Sequence, residues 1–175
     1  MAGSSRVRRS VAFNNYNIPR WLDAKWSGWS SPDHLLSQFA INRPPVSVHD
    51  IARELGVFVN AAFQPAWNAA LRSTSQRAEI WLNASADPIS KRWMLAHELG
   101  HLMLHGTGLQ VMEVDFSSQP GDSEANAYAA DLLMPLWMLH PYVANGYPPS
   151  QLAGIFQVPI ELASSRVHQL LSGIS

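Results

Sequence analysis

His97-Glu98-Leu99-Gly100-His101 is an H-E-x-x-H sequence inside an apolar run, and it decides how the rest of the chain is read. Residues four apart share a helix face, so both imidazoles can meet one metal ion, with Glu98 placed to activate a water. Working outward, Asp87-Pro88 offers an N-cap followed by proline at the first helical position, and Gly106 offers a C-terminal stop. Residues 88–105 therefore predict one helix of about 27 Å. Trp93, Met94, Leu95, Leu99, Leu102, Met103 and Leu104 make it apolar nearly all round, which suits a buried central helix. Two imidazoles and a carboxylate buried together need a shared partner. Hydrogen bonds could serve them one by one; a metal ion serves all three.

The chain has 175 residues, 47% hydrophobic and 14% charged, with a formal net charge of −1. That length and apolar content suit one globular domain with an appendage. The charge balance makes no case for nucleic acid or an anionic membrane as the main partner. With no cysteine, disulfides and thiolate metal sites are excluded, and His, Glu and Asp remain as ligands. Lack of cysteine also suits a reducing, cytoplasmic setting. No run of 18 apolar residues is present, so no membrane span is expected. The basic N-terminus lacks an apolar segment behind it, so a tail is expected there rather than a secretory signal.

Residues 1–45 are read as an N-terminal arm bearing Trp21, Trp26 and Trp29, plus a short helix from Ser31-Pro32 through Leu35, Leu36 and Phe39. The arm is expected to dock on the domain or a partner, because three exposed tryptophans are costly. Residues 46–175 form the main domain. Ser47 with Asp50 caps a helix that ends at Gly56. Strand signals follow at Val57-Phe58-Val59, Ala70-Leu71-Arg72 and Ile80-Trp81-Leu82, the last two forming a hairpin across Ser-Thr-Ser-Gln. Beyond residue 105, a polar loop over 113–121 leads to helices from about Asp122 to Met134, from Pro135 to Ala144, from Ser150 to Phe156, and from Pro159 to Leu171. A mainly helical α+β domain with a small three-stranded sheet is the expected fold.

Zinc in a hydrolase takes three protein ligands and leaves the fourth position open. His97 and His101 supply two. The best candidate for the third is Glu124, on a helix that returns past the first and carries small Ala125, Ala127, Ala129 and Ala130 for close approach. Glu124, Tyr128 and Asp131 would then share one face.

The blocks His-Glu-Leu-Gly-His-Leu-Met-Leu-His-Gly (97–106) and Glu-Ala-Asn-Ala-Tyr-Ala-Ala-Asp-Leu-Leu-Met-Pro (124–135) resemble the ImmA/IrrE family of metallopeptidases. The resemblance runs from about Ser47 to Leu171 and leaves residues 1–45 outside. It implies a zincin-like fold of the gluzincin kind, with His97, His101 and Glu124 as zinc ligands and Glu98 as general base. It also places Asn126 where related peptidases orient a ligand histidine. Pro159 stands where the family more often has Ser, which bears on the packing of the last two helices.

An oxyanion donor is also needed, and Tyr128, His105 and His140 are the candidates. The 80–82 strand is a candidate to hold an extended substrate by β-addition. By resemblance, the target is a helix-turn-helix repressor of the XRE type. The alternative is a toxin that acts by binding an XRE-like antitoxin. The helix-turn-helix rhythm of 150–171 has Arg166 as its sole Lys or Arg, too little for phosphate binding.

Overall fold

The computed structural model describes residues 31–63, 67–74, 77–105, 108–113 and 122–173, the side chains of Trp67 and of 108–113 excepted. The Trp21, Trp26 and Trp29 arm and the 114–121 loop lie outside the described residues. In chain order the elements are α1 (Pro32–Gln38), α2 (Val48–Glu54), β1 (Val57–Ala62), β2 (Trp67–Ser73), β3 (Ala78–Asn83) and α3 (Pro88–His105). After these come β4 (Gly108–Glu113), α4 (Asp122–Leu133), α5 (Leu136–Ala144), α6 (Pro149–Phe156) and α7 (Ile160–Ser172).

The central helix α3 has the expected bounds, and local chemistry explains its start. Asp87 Oδ1 accepts hydrogen bonds from the backbone N–H groups of Ile89 and Ser90 at 2.9 and 3.0 Å. A cap of this kind is worth about 1 kcal/mol. From Met94 to Met103 every residue of α3 is buried, including both motif histidines and Glu98. Apolar burial stabilises this helix, since each fully buried Leu contributes about 1.5–3 kcal/mol.

The three expected strands are present, and a fourth, β4, joins them in the order β1-β3-β2-β4. β1 runs parallel to β3, whereas β2 pairs antiparallel with both β3 and β4. The β2–β3 hairpin is the one expected. Along β3, alternation sends Ala78, Ile80 and Leu82 into the core and leaves Trp81 exposed. One expectation is overturned here. β3 is flanked on both sides, so its ladder positions are filled and it cannot accept a substrate strand; the outer strands are β1 and β4.

Leu35 and Leu36 of α1 are fully buried in the same core as α2, the sheet and α3. Arg92 is a tie that the sequence did not suggest. Its guanidinium donates to the carbonyls of Val46 at 2.9 Å and Gln157 at 3.1 Å, joining the entry to α2 and the α6–α7 turn to α3. The expected break between α6 and α7 is made by Gln157 in the left-handed region (φ 54°), followed by buried Val158. Arg166 is buried as well. It donates to Met134 O and Gln169 Oε1 and pairs with Asp131, so its charge is engaged inside the fold.

α4 packs closely against α3. A Cβ added to Gly100 would lie 3.0 Å from Ala125 O, 3.1 Å from Ala125 Cα and 3.2 Å from Tyr128 Cβ. Two of those neighbours are backbone, so the helices must separate to admit a methyl group. Gly100→Ala gains up to about 1 kcal/mol of helix propensity. Overpacking costs about 1–3 kcal/mol and outweighs it. Thermal unfolding is expected to show a midpoint several degrees lower; an unchanged or raised midpoint would mean that α4 yields freely.

Candidate metal centre

α3 presents His97 and His101 one turn apart, and α4 crosses at that level with Asp122 in its first turn. The Nε2 atoms of the two histidines are 3.0 Å apart. Asp122 Oδ1 lies 3.2 Å from His101 Nε2 and 3.7 Å from His97 Nε2. Neighbouring ligand atoms of a tetrahedral zinc with bonds near 2.0–2.1 Å stand about 3.3 Å apart. The three atoms therefore form a triangle of the size a zinc ion requires, and these residues could hold a metal.

Hydrogen bonding supports the same use. Asn126, one turn beyond Asp122 on α4, places Oδ1 2.8 Å from His97 Nδ1. An amide oxygen only accepts, so Nδ1 carries the proton and Nε2 keeps its lone pair facing Asp122 and His101. Asn126 thus occupies the orienting position named from the sequence. Burial holds His97 below its ordinary imidazole pKa, against the opposing effects of Asn126 and Asp122. Burial, followed by the neighbouring His97, pushes His101 down to about 4. Both rings are thereby neutral, the form that binds metal.

Glu98 faces the other way in charge terms. It is fully buried, and neither carboxylate oxygen has a hydrogen-bond partner among the described residues. Burial, with the Asp122 charge second, pushes its carboxyl up to about 8. A carboxyl at this pKa beside a metal triangle can take and return a proton near neutral pH.

Glu124 is not brought into this cluster. Its carboxylate lies 3.5 Å from His105 Nε2 at the end of α3, and its side chain is 67% exposed. Two residues on from Asp122, it projects from a different side of α4. Asp131 is paired with Arg166, and Tyr128 is buried with no hydroxyl partner among the described residues, so the expected common face of Glu124, Tyr128 and Asp131 does not form one site. Burial raises the Tyr128 hydroxyl above its ordinary pKa. Of the three oxyanion candidates, His105 has its ring 5.6 Å from that of His101. His140 is exposed on α5. Sequence reasoning passed over Asp122, although one signal for this candidate exists: it sits four residues before Asn126, on the face that meets α3.

Residues 52–168 match the peptidase M78 family, described as the IrrE N-terminal-like domain. The chain belongs to the ImmA/IrrE family. This is a family of zinc metallopeptidases, and the α+β zincin-like architecture is the one expected of an ImmA/IrrE member. A relative is uncharacterized immunity region protein 2 of Bacillus phage phi105, 31% identical over 87 residues. The match covers 48% of this chain and 55% of the phage protein, so the chain spans about half the length of that relative. Among the described residues no helix is long and apolar enough to cross a membrane.

Proposed function

We propose that this ImmA/IrrE-family chain is a cytoplasmic zinc endopeptidase that cleaves one specific protein, a helix-turn-helix repressor of the XRE type. The observation that carries the proposal is the triangle of His97, His101 and Asp122 beside a buried Glu98 that has no hydrogen-bond partner among the described residues. Similarity to a phage immunity region protein supports a target among phage-type regulators.

The two histidines and Asp122 would hold the ion. When bound, zinc supplies a Lewis acid that acidifies water and polarises the scissile carbonyl. Glu98 takes the proton from the attacking water and returns it to the leaving nitrogen. Asn126 fixes the His97 tautomer. His105, with Glu124 beside it, stands on the same face of α3 as a donor for charge that develops on the carbonyl oxygen.

The test is metal analysis of the purified chain, followed by incubation with the helix-turn-helix repressor encoded beside its gene. One zinc per chain and cleavage that stops on chelation and resumes on zinc addition are the expected results. A zinc-loaded chain that binds the repressor and leaves it whole would overturn the proposal.

That second outcome describes the toxin–antitoxin alternative, and one surface favours it. Trp137, Tyr142 and Tyr147, with Arg43, line a groove of about 620 Å3 formed by α5 and the segment before α2. Aromatic residues and Arg are the side chains that dominate protein interfaces.

A further inference from the structure

Ser90, Trp93 and Met94 precede His97 by seven, four and three residues, so they lie on the stripe of α3 that carries His97 and His101. The stripe continues past the metal cluster. Towards the N-terminus of α3 it becomes one wall of a pocket of about 400 Å3, closed by Asn68 of β2 and by Pro159 and Leu162 at the start of α7. Trp93, Met94, Pro159 and Leu162 make the lining mainly apolar, and Glu161, also on the lining, is exposed. A pocket with this lining, mostly apolar with a few polar groups, has the character of a ligand site.

The spacing of its α3 residues from His97 suits a peptide. Met94 and Trp93 stand about 4.5 and 6 Å along the helix axis from His97. An extended peptide advances about 3.3 Å per residue. A side chain one or two residues from a carbonyl held at the cluster would therefore reach the pocket.

We infer that this pocket selects a large apolar side chain of the peptide substrate, one or two residues from the scissile bond. Trp93, Met94 and Leu162 are its specificity-determining walls. The inference rests on the peptidase function proposed above for its substrate class. Glu161 adds discrimination against acidic side chains, because a like charge at the rim is repelled. Transfer of a Leu or Phe side chain from water into such a lining is worth about 10- to 100-fold in affinity.

The experiment uses peptide hydroxamates, which chelate zinc without being cleaved, and the full zinc-loaded chain. Affinities are measured by calorimetry for probes carrying Leu, Phe, Gly or Asp at the first or second residue from the hydroxamate. At one position Leu and Phe are expected to bind about 10- to 100-fold more tightly than Gly, with Asp weakest. Asn68→Trp, which fills the pocket, and Leu162→Ala, which removes a wall distant from the metal ligands, are each expected to erase most of that preference. Zinc titration of both variants shows that the metal site is intact. Equal affinities across the probes, no hydroxamate binding, or a preference unchanged in both variants would each overturn the inference. A pocket-dependent preference in a chain that cleaves no repressor would instead retain the pocket and remove the proposed activity.

Discussion

Glu98→Gln is expected to reduce peptide hydrolysis on the order of 10^3-fold or more while leaving zinc affinity within a few-fold of the native chain. Gln keeps the shape of the side chain but cannot accept the proton of the attacking water. The carboxylate is not part of the triangle formed by His97, His101 and Asp122, so the ligands stay in place. The same substitution has a second signature, in the metal-free chain. Burial raises the Glu98 carboxyl from an ordinary 4.5 to about 8, so the folded state holds this proton more tightly than the unfolded state does. The stability tied to that proton is complete below pH 4.5 and is lost as pH rises through 8. By pH 7 the loss is on the order of 3 kcal/mol. His101 works in the opposite direction. Its folded pKa is depressed to about 4 from 6.5, so it stabilises the fold increasingly as pH rises towards 6.5 and contributes no slope beyond it. Between about pH 6.5 and 8.5, therefore, the unfolding midpoint of the metal-free native chain should fall, and that of Glu98→Gln should stay nearly flat. Calorimetric scans at several pH values check this. Parallel curves for the two proteins would show that Glu98 is not held protonated by its surroundings, and retained hydrolysis would remove it as the base.

Whether an element could be read in advance depended on whether its cause is local or distant. α3 runs from Pro88 to His105 as expected, because the Asp87 cap and the apolar run act within the helix itself. The β2–β3 hairpin was equally legible from a turn and two short alternating segments. β4 was not, since Gly108–Glu113 is a strand by virtue of its ladder with β2, a partner more than thirty residues earlier. For the same reason β3 was assigned a substrate-binding edge that it does not have. A strand's own sequence shows which side chains face the core, but its neighbours decide whether its backbone is free. At the metal centre, spacing alone identified His97, Glu98 and His101, because a contiguous helix settles their geometry. Asn126 was named by resemblance, and the structure places it against His97. The third acidic group depends on how α4 is rotated about its axis against α3, which Gly100, Ala125 and Tyr128 settle by contact. Spacing from His101 alone does not separate two acids two residues apart; the rotation of α4, which also sets Asn126 against His97, does.

The choice between those acids gives the other large expected effect. Asp122→Ala should weaken zinc binding at least about 100-fold, because a two-histidine site loses one of the three protein ligands a hydrolytic zinc needs. Glu124→Gln should change it by no more than a few-fold. Asp122 Oδ1 lies 3.2 Å from His101 Nε2 and completes the triangle, whereas the Glu124 carboxylate is paired with His105 at 3.5 Å and largely exposed. Asp122→Ala also removes the charge that helps to raise the Glu98 pKa, so in the metal-free variant that carboxyl should titrate lower. Competition with a chromophoric chelator measures both affinities, and thermal unfolding with and without zinc gives an independent readout. Zinc bridging α3 and α4 should raise the unfolding midpoint of the native chain and of Glu124→Gln, and should barely move that of Asp122→Ala. If Glu124→Gln instead loses the metal and Asp122→Ala keeps it, α4 must turn about its axis when the ion binds. That turn would carry Asn126 away from His97 Nδ1, so the Asn126–His97 hydrogen bond could not survive in the zinc-loaded protein. Retention of that bond alongside zinc therefore argues for Asp122, since both residues project from the same face of one helix.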